Sequence, residues 1–432
     1  WAWVGRRNFS ASFLAEQVLW FPLFIGLWLL LANANDFYDL RLVADRMLAF
    51  RRLLIITLQM ILIYLVIFFF SERESLPRLF TIYYGVASFF LIGAWRWVYP
   101  IVSGWASEAR RVLIVGTGWA AEVIIGAINT EAQNEYRIVG IIGDEVDVGR
   151  LICDVPVIGA GRDLMNFVQR DRVSELIVTS TDELTDTAFQ GVMDAYVNGV
   201  NIVAMPIMYE RITGRVPVEH VNNHWAIVLP LDENAFIKPY SLIKRLLDIV
   251  LALIGLVVLS PVMLLTALVI FVDDGLPVFY NQKRVGLNGH LFTIFKFRTM
   301  RRNAEEDTGP VFARPNDPRV TRSGRLLRRM RLDELPQLVN VLRGEMSLVG
   351  PRPERPEHVE RLVATIPFYR TRLVIRPGLT GWAQVRYDYG ADDTDALVKL
   401  QYDLYYIRHK SLLLDINILL RTVGKVLRMR GV

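Results

Sequence analysis

A single cysteine, Cys153, stands in 432 residues, and the chain opens WAWVG without a methionine. One thiol excludes an intrachain disulfide and a cysteine-built metal site, and a small buried thiol in a reducing compartment accounts for it. The missing methionine gives the expectation that a further stretch precedes Trp1. Charge is absent from three long blocks, Val18–Ala34, Leu53–Phe70 and Leu79–Trp95. Each is near the roughly 20 apolar residues that cross a bilayer as a helix. No nucleic-acid recognition motif accompanies the net charge of +5, so nucleic acid is not an expected partner. That charge suits an anionic membrane face or a phosphate-bearing substrate.

What is present in excess is apolar: 53% of residues are hydrophobic, more than an ordinary soluble enzyme carries. Three uncharged blocks with charged connectors predict membrane helices over residues 1–108. The first connector holds Arg41, Arg46, Arg51 and Arg52, the second reads SERESLPR, and Arg96, Arg110 and Arg111 follow the third block. The positive-inside rule puts the first connector and everything after Trp95 in the cytoplasm. A cytoplasmic N-terminus then requires one more helix before Trp1.

From Arg110 short apolar runs alternate with helical stretches. RVLIVG (Arg111–Gly116), YRIVGIIGDE, SELIVTS (Ser174–Ser180) and NIVAMP (Asn201–Pro206) read as strands, and TGWAAEVIIGAIN as a helix. That alternation predicts a Rossmann-like parallel α/β domain over residues 109–238. Gly116, Gly118 and Ala121 form a GxGxxA turn, with Asp144 closing the next strand, the pattern of a dinucleotide site. The same glycines serve equally for tight strand–helix packing, so the turn alone does not assign a nucleotide. Tyr240 and Lys244 match the Tyr-x-x-x-Lys spacing of short-chain dehydrogenases, but no serine stands where the third catalytic residue belongs. Lys244 and Arg245 are instead expected to anchor a helix at the lipid headgroups.

An uncharged run from Ile249 to Val272 is interrupted at its centre by Ser260-Pro261, where proline removes a backbone hydrogen bond. Lys244 and Arg245 precede the run. Lys283, Arg284, Lys296, Arg298, Arg301 and Arg302 follow it, and then RLLRRMR (Arg325–Arg331). Basic residues on both sides ask for the same membrane face. A helix over 246–272 that enters, breaks and returns satisfies both, with the serine hydroxyl covering a freed backbone group.

After the break comes RLDELPQL, Arg331–Leu338. Pro336 belongs in the first turn of a helix, which puts Asp333 and Glu334 at its start. There the helix dipole with Arg328, Arg329 and Arg331 is expected to keep both acids ionised. Leu335, Leu338, Val339 and Leu342 give that helix an apolar side suited to a membrane surface. KFRTM (Lys296–Met300) and the stiff Pro351-Arg352-Pro353 add cations, and flanking prolines reduce the entropy lost when Arg352 grips an anion. Two acids among cations suit Mg²⁺ completed by substrate phosphates, and equally an aspartate nucleophile at phosphorus.

These residues, with KRLLDI (Lys244–Ile249), LDELPQLVNVLRGEMSLVGPRP (Leu332–Pro353) and RPGLTGWAQV (Arg376–Val385), resemble the large monotopic polyprenyl-phosphate phosphoglycosyl transferases of bacteria. The resemblance covers nearly the whole chain. It implies membrane helices, a Rossmann-like middle domain and an α-rich monotopic catalytic domain over residues 239–432 with a re-entrant helix. It further implies transfer of a sugar-1-phosphate, glucose-1-phosphate foremost, from a UDP-sugar to undecaprenyl phosphate at the cytoplasmic face of the bacterial inner membrane. That reaction is the first membrane step of exopolysaccharide or O-antigen repeat-unit synthesis. Asp333 would be the nucleophile that expels UMP. Glu334, with Asp333, would hold Mg²⁺, and Lys296, Arg298, Arg328, Arg352 and Arg376 would bind phosphates. Where many members continue with Asn-Gly-Arg after TGWAQV, this chain reads RYDYG (Arg386–Gly390), which leaves the sugar open. The oligomeric state stays open, a homodimer among the options.

Two other classes compete. A membrane-tethered nucleotide-sugar dehydrogenase or epimerase using the Gly116–Ala121 turn leaves the arginine-rich C-terminal half unexplained. A non-catalytic transporter or scaffold of the transporter kind would carry charges within its spans, and the three blocks carry none.

Overall fold

The computed structural model describes residues 20–35, 37, 46–70, 78–102, 109–179, 184–218, 237–302, 304, 317–387 and 393–427. The chain start, most of SERESLPR, Arg41 and the end of RYDYG, on which several expectations draw, lie outside these residues. Two compact units divide the chain, Trp1–Arg111 with Ala132–Arg137, and Val112–Glu131 with Ile138–Val432.

The first unit holds three helices, α1 (Trp20–Ala34), α2 (Arg46–Phe70) and α3 (Arg78–Val102). Phe24 of α1 meets Tyr64 of α2 and Tyr84 of α3 at ring-centre distances of 5.4 and 5.6 Å. Gly85 permits close approach of α3 to α2: a Cβ there would come within 2.9 Å of Ile61. Among the described residues, the 19-residue segment Ala49–Ile67 is the one single helix long and apolar enough to cross a membrane, and the apolar part of α1, Pro22–Ala32, is shorter.

An α/β layer, in the second unit but for the first two residues of β1 and of β2, has β1 (Arg110–Val115), β2 (Tyr136–Gly143), β3 (Leu151–Ile152), β4 (Val155–Ala160), β5 (Glu175–Val178) and β6 (Asn201–Ala204) in a sheet ordered β3-β4-β2-β1-β5-β6. Pairs β1–β5, β5–β6 and β2–β4 are parallel and β3–β4 is antiparallel. Helices α4 (Trp119–Glu131), α5 (Leu164–Arg170), α6 (Asp186–Val197) and α7 (Met205–Thr213) alternate with the strands, and Leu113, Leu164, Leu176 and Ala195 are fully buried. Cys153, expected to be buried, is exposed. It lies in the turn between β3 and β4, where Cys153 and Asp154 both take positive φ, so the chain must reverse at a surface.

Two long helices follow, α8 (Ile237–Val258) and α9 (Ser260–Asp274), bent by 59° at the one-residue break. Pro261 sits in the first turn of α9, and the Ser260 hydroxyl donates to Val257 O (2.8 Å). Helix continues beyond the expected 246–272 at both ends. Leu253, Val257, Leu264, Leu268 and Val272 are exposed along the two arms, whereas Ala252 and Ile270 are buried against the rest of the unit.

The remainder comprises a hairpin β7 (Phe279–Val285) and β8 (Leu291–Phe297), helix α10 (Arg322–Arg329), helix α11 (Gln337–Arg343), strand β9 (Ser347–Val349), helix α12 (Pro356–Thr365), strand β10 (Gly378–Thr380) parallel to β9, and helices α13 (Trp382–Arg386), α14 (Asp393–His409) and α15 (Leu412–Leu427). Its core gathers Leu362, Leu400, Leu404 and Ile407, and also takes in Val216 and Val218. Trp382 donates to Gly214 O (3.0 Å), and Glu210 of α7 pairs with Arg408 and His409 of α14, each at 2.7 Å. The boundary drawn at 238 from composition therefore falls later than the packing. The segment that leaves α7 is already part of the C-terminal core, because its valines are apolar enough to be buried there.

Candidate active site

Asp333 and Glu334 lie on one 3₁₀ turn, Leu332–Glu334, just ahead of α11, and each is only 7% exposed. Arg331, in the left-handed region (φ 54°), reverses the chain from α10 into this turn. Pro336 caps α11 from outside its first turn, so the acids precede the helix rather than open it. Of the apolar side expected on this helix, Leu338 is buried and packs on Gly255 of α8, while Leu335, Val339 and Leu342 are half-buried. Leu338, at least, is turned to the core rather than outward.

Glu334 is gripped by cations. Its Oε1 receives Lys296 Nζ (3.1 Å) and Arg352 Nη2 (2.5 Å), and Arg331 lies 3.7 Å from Oε2. Burial opposes ionisation, but Arg352 and Lys296 hold the Glu334 carboxyl well below the usual range. Asp333 accepts no hydrogen bond among the described residues. Burial first, and then the neighbouring Glu334 charge, push it up to about 6 against the pull of Lys296, Arg328 and Arg352. The sequence predicts that both acids are ionised and does not distinguish them. The structure separates them because the cations bond to one and only face the other. Burial lowers the Lys296 ammonium, and Glu334 opposes that shift.

Residues unremarkable in the sequence hold this geometry. Asn340, fully buried, accepts from Phe295 N (3.1 Å) and donates to Thr293 O (2.7 Å), fastening the strand that carries Lys296 to α11. Arg284 donates to Pro353 O (3.0 Å) and Arg372 to Arg352 O (2.9 Å), so two side chains fix the backbone of the Pro-Arg-Pro segment. Arg372 is itself buried on Asp403 (2.8 Å). Behind them, Gly378 packs on Gly350 so closely that a Cβ would sit 2.1 Å from Gly350 N.

Other expected site residues stand elsewhere. Arg298 is buried at the end of α9, where it donates to Asp274 O and Gly275 O and pairs with Asp274 (3.1 Å). Arg376 is exposed and donates to Gly344 O (3.0 Å). Neither touches the acid pair, since each guanidinium closes a helix C-terminus instead. Lys244 and Arg245, read as headgroup anchors, have protein partners: Lys244 pairs with Asp415 (2.9 Å), and Arg245 donates to Val341 O and Leu342 O. Tyr240 also donates to Asp415 (2.9 Å), which accounts for the Tyr-x-x-x-Lys spacing without a dehydrogenase. At the glycine turn, a Cβ on Gly116 (φ 112°) would lie 1.9 Å from Thr179 Oγ1, and Thr179 donates to Val115 O (3.0 Å). The chain's own threonine fills that space. Ala121 is buried and Asp144 is exposed.

Among the described residues no group of three or more His, Cys, Asp or Glu side chains is placed to hold a metal. Two adjacent carboxylates are the donor set Mg²⁺ uses when phosphates and water complete its shell. Asp333, free of hydrogen bonds among the described residues, fits that use better than Glu334, whose oxygens are engaged.

The profile of the bacterial sugar transferase family matches residues 239–429, and that of a CoA-binding domain matches 33–206. A UDP-N-acetylgalactosamine-undecaprenyl-phosphate N-acetylgalactosaminephosphotransferase of Aeromonas hydrophila is 40% identical over 57% of this chain and 58% of its own length. A UDP-glucose:undecaprenyl-phosphate glucose-1-phosphate transferase of Xanthomonas campestris pv. campestris is 45% identical over 74% of this chain and 67% of its own. Exopolysaccharide production protein ExoY of Sinorhizobium fredii is 36% identical over 48% of this chain and 95% of its own. The chain spans a little under 60% of the Aeromonas relative. With the profile falling on the half that carries Asp333, Glu334, Lys296 and Arg352, and with close relatives covered over two thirds and more of their length, the chain belongs to the bacterial sugar transferase family.

Proposed function

We propose that the protein transfers a sugar-1-phosphate, glucose-1-phosphate foremost, from a UDP-sugar to undecaprenyl phosphate at the cytoplasmic face of the bacterial inner membrane. The observation that carries this reading is the asymmetry of the acid pair: Glu334 locked among cations, and Asp333 buried beside them with its carboxyl unbonded among the described residues and pushed up to about 6. An Asp333 oxygen attacks the sugar-bearing phosphorus, the bond to the bridging oxygen breaks, and UMP leaves with the electron pair. An oxygen of undecaprenyl phosphate then attacks the same phosphorus and releases the Asp333 carboxylate. At neutral pH the higher pKa leaves Asp333 mostly ionised and more basic than an ordinary aspartate, which favours attack.

Lys296 and Arg352, which pair with Glu334 and bear on Asp333, would offset the charge of the reacting phosphates, while Arg328 bears on Asp333 from α10. When bound, Mg²⁺ would be held chiefly through Asp333, with Glu334 beside it bonded to Lys296 and Arg352, and would neutralise charge on the diphosphate. The bent α8–α9 pair, with its exposed apolar arms, fits a helix that enters and returns on one face and brings the lipid acceptor to the acids. Relatives named for glucose, galactose and N-acetylgalactosamine support the reaction class.

Membranes given radiolabelled UDP-glucose, Mg²⁺ and undecaprenyl phosphate are expected to yield labelled lipid, and an Asp333→Asn protein none. Full activity in the asparagine variant overturns the nucleophile. A panel of UDP-sugars scored by UMP release identifies the sugar.

A further inference from the structure

Helix α10 divides its arginines between two tasks. Arg328 is half-buried and bears on Asp333. Arg322, Arg325 and Arg329 are exposed, with exposed Leu326 among them. Their spacing of i, i+3, i+4 and i+7 is one face of a helix. The opposite face is committed: Leu327 is buried with Ile270 of α9 and Phe297 of β8, and a Cβ on Gly324 would lie 2.2 Å from Thr299 O. Asp273, at the end of α9, accepts from Ser323 N (3.0 Å) and Ser323 Oγ (2.7 Å). Helix α10 is therefore fastened to the end of the apolar arm that carries exposed Leu268, Phe271 and Val272.

Three cations on one face repel one another at these spacings. The helix contains no acid, and Arg325 and Arg329 make no ion pair among the described residues. Tertiary ties hold the face in place against that repulsion. A leucine among arginines beside an apolar arm is the pattern of a helix lying at a lipid interface, with aliphatic stems in the acyl boundary and guanidinium heads at phosphates.

We propose that the Arg322–Arg325–Leu326–Arg329 face of α10 docks on the headgroups of anionic phospholipids at the rim where α9 leaves the bilayer. This rests on the membrane placement proposed above, not on the aspartyl chemistry. Charge complementarity selects anionic over zwitterionic lipid. Because the same helix carries Arg328, docking ties the lipid surface to the position of a cation that acts on Asp333.

The test uses the full chain with Cys153→Ser and Leu326→Cys, labelled with bimane and placed in nanodiscs. Brominated phosphatidylglycerol or brominated phosphatidylcholine serves as quencher in matched discs. The proposal expects preferential quenching by the glycerol lipid. That preference should fall on the order of tenfold in Arg325→Gln/Arg329→Gln and persist in Arg325→Lys/Arg329→Lys. Equal quenching by both lipids, no quenching, or an unchanged preference in the glutamine variant overturns it. UMP release is measured in the same discs. Quenching without UMP release sinks the transferase reading alone, and UMP release without selective quenching sinks this proposal alone.

Discussion

Asp333 and Glu334 are neighbours in sequence with opposite electrostatic fates, and two expectations follow at the residue scale. UMP release should rise with pH through about 6, because the Asp333 carboxyl is pushed up to that value and must ionise to attack; a flat profile between pH 5 and 7 contradicts it. For stability the sign is the reverse. A carboxyl raised in the folded state binds protons there that the unfolded chain has released, so its contribution weakens as pH rises from about 4 through about 6. At neutral pH Asp333→Asn should therefore melt higher than the parent, by on the order of 1–3 kcal/mol, while UMP release falls by 10³-fold or more, an order of magnitude set by nucleophile loss in general. Residue type alone made the acids and cations legible. Their partners were not: nothing in the sequence states that Arg298 closes α9, that Asn340 fastens β8, or that Asp415 receives both Tyr240 and Lys244. Those bonds join residues far apart in the chain, and the spacing of a motif carries no information about what it faces.

Elements were legible where local chemistry dictates them. Proline after serine marked the break between α8 and α9, and alternating apolar runs marked the strands of the α/β layer. Periodicity predicts the apolar side of α11 but not that Leu338 on it packs on Gly255. Helix α10 shows what an element does for the site. Thr321 Oγ1 accepts from Gly324 N (3.0 Å) as its N-cap. Thr321→Ala should cost about 1 kcal/mol in a thermal melt, and it should lower UMP release as well, since α10 leads directly into the Leu332–Glu334 turn. Loss of stability with activity intact would separate the cap from the site.

At the scale of the whole molecule, composition predicts a helical, an α/β and a catalytic region, but Val216 and Val218, placed by composition in the α/β region, belong to the C-terminal core. Orientation in the membrane is proposed from the charges on both sides of the α8–α9 pair. Cysteines replacing exposed Leu242 and Leu276, each in a Cys153→Ser chain, should both react with a membrane-impermeant maleimide from the cytoplasmic face. Reaction of only one contradicts a helix that returns to its own side.

In the proposed mechanism Asp333 takes the phosphosugar before the lipid does. Intact-protein mass spectrometry after incubation with UDP-glucose and Mg²⁺, without undecaprenyl phosphate, tests it directly. One hexose-phosphate adduct on Asp333 is expected, with a matching amount of UMP, loss of the adduct on adding undecaprenyl phosphate, and neither adduct nor UMP from Asp333→Asn. UMP that appears only with the lipid, and no adduct at any time, would contradict it.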